Sequence, residues 1–171
     1  GANAEVSECI MRVRQIMMDS GAFEVRTAKD EAERTTFWKG RKAAFPAVGR
    51  IAPDYYCMDG TIPRRSLPKV LTRIAQLSQE FGLAVANVFH AGDGNLHPLI
   101  LFDANIEGQL KRAEAFGQRI LELCVSVGGT ITGEHGVGVE KLNGMCEQFK
   151  PLELSQFLGV KAAFDRAGLL N

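Results

Sequence analysis

The dipeptide Asp93-Gly94 joins two alternating apolar stretches, LAVANVFHAG (83–92) and NLHPLILFD (95–103). Asp-Gly in that setting is a strong local signal for a two-residue β-hairpin. A type I′ turn needs positive φ at both central residues, which Asp tolerates and Gly permits. A tight hairpin makes its strands antiparallel, because parallel strands need a long crossover between them.

Mixed periodicities surround the hairpin. Residues 4–20 carry Val6, Ile10, Val13 and Met17 at helical spacing, with Gly21 as the stop. FEVRT (23–27) alternates like a short strand. Residues 29–45 read as a helix that begins near an Asp and is ended by Pro46, and 54–63 as a strand. Residues 68–81 read as a helix with Leu71, Ile74 and Leu77 on one side and Gly82 as its stop. The longest helix is expected over 106–127, where Leu110, Ala113, Phe116, Ile120 and Leu123 recur at threes and fours. A short strand follows at 130–133 and a last helix at 153–164. The expected fold class is α+β, an antiparallel sheet with helices packed mainly on one face.

With 171 residues, 46% of them hydrophobic, the chain suits one domain over 1–171 with a real core. Twenty Lys and Arg balance twenty Asp and Glu, so there is no electrostatic case for nucleic acid. No apolar run approaches the roughly 20 residues that span a bilayer. Cys9, Cys57, Cys124 and Cys146 are scattered without a CxxC pair, which fits a reducing, cytoplasmic compartment.

Two of the three histidines, His90 and His97, flank the turn. With Asp93 and Gly94 at its centre, His90 faces His97 across the strands, and Cβ atoms about 5 Å apart can share a metal ion. The same pairing also suits two satisfied histidines in a half-buried sheet. The third histidine lies in GGTITGEHGVGVEK (128–141), where glycines around Glu134-His135 allow close backbone approach. Neighbouring side chains of extended chain point opposite ways, so Glu134 and His135 are expected to do different jobs. If Glu134 turns to the hairpin, His90, His97 and Glu134 form a His₂Glu set with an open position, and His135 faces that opening. The glycines run GxxGxG, so neither the GxGxxG dinucleotide fingerprint nor a P-loop is present. A His₂Glu set also suits water activation. A metal-dependent hydrolase and a non-catalytic metal-binding or subunit-docking module therefore stay open beside redox chemistry.

HAGDGNLHP (90–98), GEHGVGVEK (133–141) and the FDRAGLLN ending (164–171) resemble the C-terminal part of FAD-linked 2-hydroxy-acid oxidases and dehydrogenases of the vanillyl-alcohol-oxidase type. WKGRKAAFPAVGRIAPDYYCMDGTIPRRSLPKVL (38–71) is similar to the D subunit in the glycolate oxidase branch. The resemblance implies a substrate, or cap, domain whose FAD is held mainly by a separate N-terminal domain. The chain is thus expected to be a fragment, inactive alone. It implies a divalent metal (Zn, Fe or Mn) on His90, His97 and Glu134, with His135 as catalytic base. It implies substrate contacts from Arg41 and Asn95, and a flavin contact from Asn171. Relatives acting on longer diacids have Thr and Lys where Phe45 and Cys57 align, so a small 2-hydroxy acid such as glycolate or D-lactate is expected. Expected partners are an FAD-binding second subunit and an iron-sulfur subunit. The expected location is the cytoplasm, at most peripheral to the membrane through those partners.

Overall fold

The computed structural model describes residues 2–170. It comprises two compact units, one ending at Phe45 and one beginning at Pro46. The first unit contains α1 (Asn3–Asp19) and α2 (Glu31–Lys42). The Asp30 side chain caps α2 by accepting the Glu33 N–H, while the Glu33 carboxylate accepts the Lys29 N–H. These contacts satisfy two donors near the helix start. The apolar stripe of α1 forms as the spacing predicts, yet Val6, Ile10, Val13 and Met17 remain 43–51% exposed. FEVRT is not a strand: among the described residues it pairs with no other segment, and Phe23 is almost fully exposed. Alternation without a partner strand leaves backbone groups unpaired, so the pattern alone does not make a strand.

Pro46 does not end a helix. It sits in the first turn of a separate short helix, α3 (Ala44–Val48), where its missing N–H has no intrahelical partner to lose.

The second unit is built on β4 (Asn95–Phe102), whose eight residues are all buried. The hairpin partner β3 (Val85–His90) lies along one edge of it. Along the other edge run β1 (Asp54–Cys57) and β2 (Gly60–Thr61), both antiparallel to β4. Cys57 lies opposite Leu99 and Gly60 opposite Leu96, so β1 and β2 share one register, with Met58 opposite Pro98 and Asp59 opposite His97. The interruption between them has a chemical cause. The Met58 N–H donates to the Pro98 carbonyl at 3.0 Å, but proline has no N–H to return. The Met58 carbonyl instead meets the Cys57 thiol at 3.5 Å. TITG makes only a single bridge, Thr130 to Thr61, rather than a strand.

One sheet face is covered by α4 (Leu67–Phe81) and α5 (Gln109–Ser126). Met58, Leu96, Ile100 and Phe102 from the sheet join Val70, Ile74 and Leu77 of α4 and Ala113, Phe116 and Ile120 of α5 in one core. Phe81 and Phe116 stack at 5.2 Å and tie the two helices together. Val70, rather than Leu71, lies at the centre of the α4 contact, and Leu110 of α5 is exposed. Two further helices, α6 (Leu142–Gln148) and α7 (Pro151–Phe164), follow. The sequence reading had no place for α6, a helix too short for a periodic signal. The α+β class with helices on one sheet face is therefore the observed one. No described helix is long and apolar enough to cross a membrane.

A Cβ on Gly129 would lie 1.8 Å from the Thr61 carbonyl oxygen and 2.8 Å from that of Cys124. Gly129→Ala is therefore expected to lower stability by about 1–3 kcal/mol through overpacking against backbone. Gly40→Ala, inside α2 with nothing within 4 Å, is expected to raise it by about 0.5–1 kcal/mol. Urea denaturation of the two variants checks both signs.

Burial, and then the Asp59 charge, push the Cys124 thiol up to about 12, whereas Cys9 and Cys146 are exposed. Thiolates are the reactive form. Alkylation at pH 8 followed by mass analysis should therefore modify Cys9 and Cys146 quickly and Cys124 only after denaturation. Rapid native labelling of Cys124 would contradict the packing described above.

Candidate metal centre

Alternation along a strand sends successive side chains to opposite faces. The face of the sheet turned away from α4 and α5 carries Cys57, Asp59, His90, Asn95 and His97. The hairpin delivers the two histidines there, but not in the predicted register. His90 pairs with Asn95, and His97 with Val88. The connection is a four-residue loop, Ala91 to Gly94, rather than a two-residue turn at Asp93-Gly94. Asp93 does not take positive φ; Gly94 alone does, at 77°. The N–H groups of Asp93 and Gly94 both donate to the His90 carbonyl, at 3.0 and 2.9 Å. Gly94 also packs against β2, its carbonyl accepting the Ile62 N–H at 2.9 Å. A register change of two residues leaves every side chain on its original face. His90 and His97 are thus diagonal neighbours, their rings edge to face with centroids 5.4 Å apart.

Asp59 holds the third element of the site. Its side chain is completely buried. One oxygen accepts the Thr132 hydroxyl at 2.8 Å and the N–H groups of Gly133, Glu134 and His135 at 3.0, 3.2 and 2.9 Å. Lys141, 5% exposed, lies 3.2 Å from the same oxygen and also reaches the Asp59 carbonyl. Burial by itself would raise the Asp59 carboxyl. The His135 N–H, the Thr132 hydroxyl and the Gly133 and Glu134 N–H groups outweigh it and hold the group far below the usual carboxylate range. A chain of glycines and polar residues is thereby folded around one anion, as in a backbone nest.

That wrapping aims Glu134 and His135. The two Glu134 oxygens lie 3.5 Å from His90 Nε2 and 3.6 Å from His97 Nε2. The His135 ring stacks on His97 with centroids 5.1 Å apart. Both neighbours therefore reach His97, one at its nitrogen edge and one at its ring face. Asn95 is buried, with Nδ2 3.5 Å from His97 Nε2 and its Oδ1 without a hydrogen-bond partner. A Cβ on Gly133 would strike Asn95 Oδ1 at 2.5 Å, so only glycine lets the loop approach this closely. Arg41 lies exposed in the last turn of α2, in the first unit. Asn171 falls outside the described residues.

His90, His97 and Glu134 suit a divalent cation. Ligand atoms around a tetrahedral ion with bonds of about 2.1 Å stand roughly 3.4 Å apart. Each histidine stands at about that spacing from one of the two Glu134 oxygens, and with one ligand atom from each residue the three lie within 4.8 Å of one another. Two neutral imidazoles and a carboxylate are the donors that Zn, Fe and Mn accept.

Sequence reasoning missed Asp59 and Lys141. The reading of 54–63 as a strand contained Asp59, but nothing local in it marked that carboxylate as buried, or Lys141 as its partner. The available signal was parity: Asp59 alternates with Met58 in an apolar strand, where a charge needs a buried partner.

A family model described as FAD linked oxidases, C-terminal domain, matches residues 1–171. The glycolate oxidase subunit GlcD of Escherichia coli (strain K12) is 65% identical over 171 residues, all of this chain and 34% of that protein. GlcD of Bacillus subtilis (strain 168) is 32% identical over 160 residues, 94% of this chain and 34% of that one. A D-lactate dehydrogenase of Anaerostipes hadrus is 29% identical over 168 residues, 98% of this chain and 35% of the relative. The chain spans about a third of the length of these relatives. A match along every residue, with the histidine, glutamate and glycine motifs in one site, makes this chain a member of the FAD linked oxidases, C-terminal domain family.

Proposed function

We propose that the chain is the substrate- and metal-binding part of a flavin-dependent enzyme that oxidises a small 2-hydroxy acid, glycolate or D-lactate, to its 2-oxo acid. The observation that carries this reading is the convergence of His90, His97 and Glu134, with His135 against them. Similarity to proteins named glycolate oxidase subunit and D-lactate dehydrogenase supports the substrate class. A subunit name among the relatives supports assembly with further subunits; the proposed ones are an FAD-binding subunit and an iron-sulfur subunit, which the motif resemblance implies. FAD is held mainly outside the residues of this chain, with Asn171 contributing, and the enzyme works on the cytoplasmic side.

His90, His97 and Glu134 would hold a divalent ion. When bound, it makes the substrate hydroxyl more acidic and fixes its direction. His135, held in place through its backbone N–H by Asp59, takes the hydroxyl proton. Arg41 binds the carboxylate as a planar fork, and Asn95 orients the substrate through its amide. A bound flavin would supply the electron sink for the hydride. The chain's own contribution is therefore position: an oriented hydroxyl, a base beside it and a fixed carboxylate. Dye reduction by the full-length protein with glycolate, D-lactate and D-2-hydroxyglutarate tests the reading. Turnover of the two small acids is expected, and no turnover of any of the three would overturn it.

The ligand and base roles separate by mutation. His97→Ala and Glu134→Gln are expected to lose both metal and turnover. His135→Ala should keep its metal and lose about 10²–10⁴-fold in the rate of flavin reduction. Metal analysis beside single-turnover kinetics decides; loss of metal from His135→Ala would make His135 a ligand instead.

Asp59→Asn removes the anion that gathers three backbone N–H groups and leaves Lys141 buried without its partner. Losing one side of a buried pair costs about 3–5 kcal/mol. The expected result is fast amide exchange at residues 132–135, weakened metal binding and lowered stability. An unchanged metal affinity with the loop still protected would show that Asp59 does not organise the site.

A further inference from the structure

A second group of three potential donors, sharing His97 with the His₂Glu set, also converges. A ligand atom each from Cys57, His97 and His135 lie within 4.8 Å of one another, and His97 alone is common to the two groups. His97 presents Nε2 to Glu134 and Asn95. Its other nitrogen, Nδ1, is buried and has no hydrogen-bond partner, with Asp59 4.0 Å away and beyond hydrogen-bond range. A buried polar atom left unpaired in this way calls for a partner. Cys57 is half-buried on the same sheet face, two residues before Asp59, and its thiol makes only a weak 3.5 Å contact to the Met58 carbonyl. That contact exists because Pro98 cannot supply the ladder donor.

We infer that Cys57, His97 and His135 form a second cation site, soft in character, for a thiophilic d¹⁰ ion such as Zn²⁺ or Cd²⁺. One sulfur and two imidazole nitrogens are the donors such ions prefer over carboxylate sites. The buried Asp59 carboxylate, paired with Lys141, lies 4.0 Å from His97 Nδ1 and borders the site. Binding exchanges the Cys57 S–H proton for the ion and releases that proton to solvent, with no change of oxidation state. On the reading proposed above the site has a consequence: an ion there takes His135 away from the substrate proton and competes for His97.

The test uses the metal-stripped full-length protein carrying Cys9→Ser and Cys146→Ser, which removes the two exposed thiols of this chain. Titration with ¹¹³Cd²⁺, followed by cadmium NMR, separates a sulfur-containing ligand set from an all-nitrogen-and-oxygen one by chemical shift. A sulfur-shifted resonance is expected. It should be lost in Cys57→Ser, lost or strongly weakened in His135→Ala, and retained in Glu134→Gln, which removes only the His₂Glu site. Circular dichroism on each variant excludes unfolding as the cause of a loss. Persistence of the resonance in Cys57→Ser overturns the assignment, as does its disappearance in folded Glu134→Gln. Failure of the His₂Glu reading would be separate: the nitrogen-and-oxygen resonance would then be insensitive to Glu134→Gln.

Discussion

A single buried carboxylate organises the functional half of this molecule. Asp59 has no contact with solvent, and an ion in that position is tolerable only if hydrogen bonds replace its hydration. They come from one short segment, residues 132–135, and from the buried ammonium of Lys141. The segment has no ladder of its own beyond one bridge, so its conformation is set by the anion it surrounds. Glu134 and His135 reach the histidines because their N–H groups are bound to Asp59. A pair of this kind is a weak source of net stability and a strong source of a defined arrangement.

The sheet divides labour by face. Even-numbered residues of β4, from Leu96 to Phe102, enter the core beneath α4 and α5, and odd-numbered ones include Asn95 and His97. The core therefore immobilises the strand whose other face carries the site. Supporting ligands on a buried central strand narrows their freedom before any ion or substrate arrives, which is how a scaffold holds a constellation in place. The same strand contains a proline where ladders usually exclude one. The missing N–H at Pro98 interrupts the neighbouring strand beside Asp59 and leaves the Cys57 thiol as the substitute donor.

Much of this was legible in the residues, and the failures have identifiable causes. The helices over α1, α2, α4, α5 and α7 carry enough turns for a periodic signal. FEVRT alternates as a strand does but found no partner. The hairpin was correct as a hairpin and wrong in register, because Asp93 does not pay the strain of positive φ when a longer loop puts that demand on Gly94 alone. The histidines nonetheless share a face, since a shift of two residues preserves parity. Asp59 and Lys141 went unseen because each looks like a surface charge until its partner, 82 residues away, is known.

What the sequence alone determined is what depends on near neighbours: the helices, the alternation of β4, the common face of His90 and His97, and the glycines that let GEHG bend. Those are properties of period and of backbone freedom, and they need no distant contact. Tertiary structure decided which edges pair and in what register. It also set where Glu134 points and that a buried Asp–Lys pair sits beneath the site. Each of these requires closing a long loop between segments, and the free energy that selects one closure over another lies in the burial of shared partners, not in either segment by itself.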